Sequence, residues 1–79
     1  MIRGNLEEFK SSFEELYPGV SYQVVKDDND DNACLIYVED PSLIEDEYDY
    51  GQIEDLAFEF LDYDDIKIVH EFPENLFMD

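Results

Sequence analysis

From Asp27 to its last residue this chain carries 19 acidic side chains and a single base, Lys67. A carboxylate resists burial unless it is paired and hydrogen-bonded. The segment therefore folds only if apolar residues recur on one side of each element and the acids are left on the other. Residues 1–26 are ordinary by comparison, with Glu7, Glu8, Glu14 and Glu15 set against Arg3, Lys10 and Lys26. This asymmetry predicts one electrostatic face. A chain acidified uniformly, as for high salt, would not divide in this way.

The apolar material is sufficient. Hydrophobic residues make up 44% of the 79 and aromatics 15%, which separates this chain from acidic disordered segments. A chain of this length forms one small domain, residues 1–79, and buries only about 60% of its unfolded surface. The net charge of −19 repels phosphates and anionic lipids, so direct nucleic-acid or membrane binding is excluded. The lone Cys34 leaves no internal disulfide and no Cys-rich zinc site. No apolar run approaches the ~20 residues of a membrane span, and residues 1–4 do not open a signal peptide. These features predict a cytoplasmic protein without a cofactor.

Leu6, Phe9, Phe13, Leu16 and Tyr17 recur at helical spacing behind a cap at Asn5, with Glu8 in the capping-box position. Pro18 and Gly19 end that helix. Residues 20–26 alternate apolar and polar as a half-buried strand, and residues 33–39 (ACLIYVE) form a second, more apolar one. Between them, residues 27–32 are all Asp or Asn, giving a hairpin with an acidic tip. Ser42-x-x-Glu45 offers a helical turn, which Gly51 would interrupt. The stronger start is Asp49 with Gln52, leading a second helix to about residue 62. Residues 66–72 alternate as a third strand, and the tail carries Leu76, Phe77 and Met78.

The expected fold is α+β, in the order α-β-β-α-β. Strand two, helix two and strand three make a crossover, so those strands run parallel. With the hairpin, this suggests a three-stranded sheet of order 2-1-3, strand one central, and two helices packed on one face.

Around the second helix, Ile53, Leu56, Ala57, Phe60 and Leu61 share one arc. Glu54, Asp55, Glu59 and Asp62 share the other, without a single Lys or Arg. Exposed helix faces normally mix the two signs, because like charges four apart repel, and here Asp55 and Glu59 are such a pair. Phe58 falls among the carboxylates, either as a contact residue or tucked beneath the 40s loop. Asp62, Asp64 and Asp65 follow the helix C-terminus, where the macrodipole favours bases. Local rules broken without structural gain mark function. Tyr48 and Tyr63 lie among acids at the helix ends and suit an interface, whereas Tyr50 projects toward the apolar arc.

Other chemistry finds little support. Asp28, Asp30, Asn32 and Glu39 match positions 1, 3, 5 and 12 of a calcium loop. However, Ala33 replaces the glycine of the sharp turn and the flanks read as strands, so no metal site is assigned. Acid pairs arise at every spacing by composition alone. Cys34 reads as a small buried hydrophobe, His70 as a core-edge residue, and no serine has a neighbouring base. The chain does not read as an enzyme.

The acids read instead as a decoy for nucleic acid. Duplex DNA carries about one negative charge per 1.7 Å of axis, and carboxylates three or four apart on a helix stand about 5–6 Å apart. The expected working surface is Asp27, Asp28, Asp30 and Asp31 at the hairpin tip, with Glu45, Asp46, Glu47, Tyr48 and Asp49 before the helix. It continues through Glu54, Asp55, Phe58, Glu59, Asp62, Tyr63, Asp64 and Asp65. The partner would be a basic nucleic-acid-binding protein: a nuclease, restriction or CRISPR effector, repair enzyme or nucleoid protein. Size and charge are similar in character to phage- or mobile-element-encoded inhibitors of such proteins. The alternative is an immunity protein, antitoxin or small adaptor that neutralises a basic partner outside its nucleic-acid site.

Overall fold

The computed structural model describes residues 2–70. They form α1 (Leu6–Leu16), β1 (Tyr22–Lys26), β2 (Ala33–Val38), α2 (Ser42–Glu45), α3 (Glu47–Phe60) and β3 (Asp65–Val69). The end of the expected third strand and the apolar tail at Leu76, Phe77 and Met78 lie outside the described residues. Asn5 caps α1 as the sequence predicts, its Oδ1 accepting the Glu8 N–H at 3.1 Å.

The long helix starts earlier than expected. Asp46, not Asp49, is its cap, accepting the N–H groups of Tyr48 (2.9 Å) and Asp49 (3.3 Å). Both aspartates suit an N-cap, and the earlier one adds nearly a turn that brings Tyr50 against the core. Ser42–Glu45 forms its own short turn, and Gly51 lies inside α3 without breaking it.

The three-stranded sheet is mixed. β1 pairs antiparallel with β2, and β2 pairs parallel with β3, as the crossover requires. The order is β1-β2-β3, so β2 rather than β1 is central. The expected order 2-1-3 is thereby corrected, and the reason lies in the strands themselves. β2 reads ACLIYV, with five of its six residues buried, while β1 ends in exposed Lys26. A strand flanked on both edges and covered on both faces reads as an unbroken apolar run, and only β2 does.

Phe9 and Phe13 of α1, Ile53 and Ala57 of α3, and Cys34, Ile36, Val38, Ile66 and Ile68 of the strands share one buried cluster. Side chains alternate along a strand, so these strand residues face one side. Burial pushes the Cys34 thiol up to about 11, leaving it a packed, unreactive group. His70, expected at the core edge, is exposed. No helix of the described residues is long and apolar enough to cross a membrane.

Residues 3–5 tie the end of α3 back to the start of the chain. Gly4 bridges Leu61, the Asn5 N–H donates to the Phe60 carbonyl at 2.7 Å, and the Asp62 N–H donates to the Arg3 carbonyl at 3.1 Å. Gly4 has φ +100°, and a Cβ there would lie 2.5 Å from the Phe60 oxygen. At the other end of α3, the Tyr17 hydroxyl donates to Asp49 at 3.1 Å.

Gly4→Ala should therefore cost about 2 kcal/mol or more, from backbone strain plus the clash. A thermal midpoint about 10 °C lower would follow. Gly19→Ala, at φ +83° with open space around it, should cost less in the same melting experiment. Tyr17 is pushed up to about 12, first by burial and then by its bond to Asp49. Its stabilising contribution is complete below the unfolded value near 10 and is lost as pH rises toward 12. Urea midpoints measured across that range should fall less in Tyr17→Phe than in the parent.

Candidate functional site: an acidic strip along α3

The expected site residues are distributed along α3 and into the loop that follows it. Glu45, Asp46, Glu47, Tyr48 and Asp49 sit at the N-terminal end, and Glu54, Asp55, Phe58 and Glu59 lie along the helix. Asp62, Asp64 and Asp65 follow its C-terminus. That loop joins the hairpin tip, because the N–H groups of Asp64 and Asp65 both donate to the Asn32 carbonyl (3.0 and 3.1 Å). The fourteen residues of α3 span about 21 Å, so the acids form a strip across much of a domain whose longest extent is 28 Å.

The strip is not uniform, because the bases gather at one end of it. Lys26 pairs with Asp31 at 2.9 Å, and Lys67 with Asp27 at 3.3 Å. Arg3 donates through Nη2 to the Asp31 carbonyl at 2.8 Å and lies 4.6 Å over the Tyr63 ring. Three of the four bases thus surround residues 27–31, while Lys10 stands exposed on α1.

Asp27 is the one buried charged residue among those described. The Asn29 N–H donates to its Oδ1 at 2.9 Å, and Lys67 reaches Oδ2. The backbone hydrogen bond, aided by the lysine, holds its carboxyl below the usual range. Lys26 does the same for Asp31. Asp30 accepts the Asn32 N–H at 2.9 Å. The tip is thus a braced turn, with Asp28 and Asp30 as its freer charges. The calcium-loop spacing does not close around a centre, since Glu39 lies past the opposite end of β2 from this turn. No group of three His, Cys, Asp or Glu side chains among the described residues is placed to hold a metal ion.

Along α3 the situation reverses. No ion pair among the described residues involves any acid from Glu45 to Asp65. Asp46 is engaged as a cap and Asp49 accepts from Tyr17, but Glu47, Asp55, Glu59 and Asp62 are exposed and bare. Glu54 is half-buried. There is no base in the last turn of α3 to offset the helix dipole. Main-chain groups of residues 3–5 meet that end instead.

The aromatics separate into two kinds. Tyr48 is 73% exposed and Phe58 46%, so Phe58 projects among the acids and is not tucked beneath a loop. Tyr63 is buried: its hydroxyl accepts the Arg3 N–H at 3.0 Å and its ring lies under the guanidinium. It braces the strip from below and offers little surface to a partner. Tyr50 packs toward the core.

Gly51 is the fifth of the fourteen residues of α3, and nothing among the described residues lies within 4 Å of where a Cβ would stand. Glycine in a helix interior costs about 1 kcal/mol relative to alanine, and no contact among the described residues accounts for it. The spacing Tyr48-Gly51-Asp55-Phe58 is present in the sequence, but glycine reads there as a helix breaker.

A hollow of about 630 Å³, open to solvent, lies at the α1–β1 turn beside Lys10, Glu14 and Tyr22, away from the strip. The Tyr22 hydroxyl donates to Glu14 there at 2.7 Å, and burial together with that bond raises its pKa. No known family, curated protein or solved structure matches the chain.

Two neighbouring aspartates of the tip should behave oppositely. Asp27→Ala removes the brace of the turn and strands Lys67, so its melting midpoint should fall by several degrees. Asp28→Ala removes an exposed charge from a molecule of net −19, so its midpoint should hold or rise. Equal losses in the two variants would contradict the assignment of Asp27 as the structural member.

Proposed function

We propose that this protein is an acidic inhibitor that mimics DNA and occupies the basic nucleic-acid-binding surface of a target protein in the cytoplasm. The observation that carries this reading is the row of carboxylates on α3 without an ion pair among the described residues, in a molecule three of whose four bases cluster at the hairpin tip. Bare acids on one helix repel one another, and a surface carrying Lys or Arg relieves that repulsion. Such a surface draws the two proteins together by long-range attraction. The target would be a nuclease, restriction or CRISPR effector, repair enzyme or nucleoid protein, and the chain acts by binding rather than by catalysis.

The exposed Tyr48 and Phe58 favour a second reading in the same terms. An immunity protein, antitoxin or adaptor would bind a basic partner beside its nucleic-acid site. It would draw its affinity more from those rings than from the acids.

The test is displacement. Tagged protein loaded with its target from a host lysate is challenged with duplex DNA over a salt series. Release by both DNA and salt supports mimicry, because affinity resting on many charge contacts falls steeply with ionic strength. A partner indifferent to DNA supports the second reading. Changing Glu54, Asp55 and Glu59 together to Gln should weaken target binding by several kcal/mol, on the order of what truncating paired interface charges costs. The fold should be unchanged or more stable. Undiminished affinity in that triple variant would remove α3 as the working face.

A further inference from the structure

We infer that the outer stripe of α3 seats a basic α-helix of the target, with Gly51 at the point of closest approach. The inference rests on the proposed role of the acidic strip and adds the shape of the partner it takes. Within the helix, Tyr48, Gly51, Asp55 and Phe58 follow one another at intervals of three, four and three. That is the seam spacing along which two helices pack at about 20°. The two exposed rings stand about 15 Å apart along the axis, and Gly51 and Asp55 lie between them.

Each part of the seam has a use only when something lies against it. Open space over Gly51 lets a partner helix come nearer than the usual 8–10 Å between axes. Asp55 at the centre is placed to receive a Lys or Arg. In heptad terms Glu47 and Glu54 fall at g positions and Glu59 at an e position, where charge selects the partner. All three are acidic, so the fitting helix carries Lys or Arg on its own flanks. Proteins commonly read duplex DNA with a basic helix laid in the major groove. A helix of that kind matches both the charge and the shape of this stripe.

The test uses two fluorescent synthetic peptides of identical composition, rich in Arg, Leu and Ala. One is patterned with Leu and Ala on a heptad seam and Arg beside it, and the other is shuffled to alternate at period two. Binding is read by anisotropy at low salt. The heptad peptide should bind about tenfold tighter, and Gly51→Gln should erase that advantage. Gln is a good helix former, so the variant's melting midpoint should be no lower than the parent's. Phe58→Ser, at an exposed position, should also reduce the advantage, and it leaves the backbone untouched.

Equal binding of the two peptides, each weakened by the Glu54, Asp55 and Glu59 to Gln triple change, would overturn the helix-seat inference and leave the acidic strip as the binding surface. An advantage that survives both Gly51→Gln and Phe58→Ser would also overturn it. Binding of neither peptide, or binding unchanged in the triple variant, would overturn the inference and the strip together.

Discussion

A carboxylate leaves water only when a hydrogen-bonded partner replaces the lost hydration, and this chain has four bases for 23 acids. Nearly everything in the structure follows from that shortage. One carboxylate among those described, Asp27, is buried, and it has both a backbone N–H and Lys67. The others stay at the surface, so every helix and strand must earn its place with the apolar residues on its inner side. Phe9 and Phe13, the even-numbered residues of β2 and β3, and Ile53 and Ala57 supply that core. The outer side of α3 is left to the acids, while the other face of β2 carries apolar Ala33, Leu35 and Tyr37.

Where the few bases go then decides which acids remain active in the electrostatic sense. Arg3, Lys26 and Lys67 are far apart in sequence, yet all converge on residues 27–31. The hairpin tip, with four acids in five residues, is as acidic as any run in the chain and is also its most compensated part. The outer face of α3 is the least compensated. The field of the molecule is therefore not a map of its acid density; it is a map of acids minus the bases that the fold delivers to them. Delivery of Arg3 depends on the close crossing at Gly4, which brings residues 3–5 against the end of α3.

Local signals were legible in the sequence where one residue type leaves one option. Asn5 before an amphipathic stripe is a cap, Pro18-Gly19 is a stop, and a strand–helix–strand unit gives parallel strands. What was hidden depended on competition between similar residues or on distant partners. Asp46 and Asp49 are equivalent as caps, and the choice falls to how much of the following helix packs. Strand order was misjudged from connectivity, although the unbroken apolar run of β2 held the answer. Tyr63 looked like an interface residue because its neighbours are acidic. Its role is set by Arg3, sixty residues away, and no periodicity reports that contact. The neutralised tip was invisible for the same reason.

The α3 face remains as a structure with local costs and no return among the described residues. Its like charges repel, its C-terminal dipole meets no base, its interior glycine weakens the helix, and two large rings stand in water. Any one of these is commonplace on a protein surface, and a small domain tolerates each. Their coincidence on a single stripe is harder to attribute to chance. All four are relieved by the same event, the arrival of a surface that is positive, partly apolar and narrow enough to enter between Tyr48 and Phe58. Charge alone would bring a basic partner near without fixing its position, since exposed pairs contribute little once screened. The rings and the gap over Gly51 supply the shape that charge lacks. On the proposed reading, a row of acids with such a gap would discriminate among basic proteins by their form, which a uniformly acidic surface could not do.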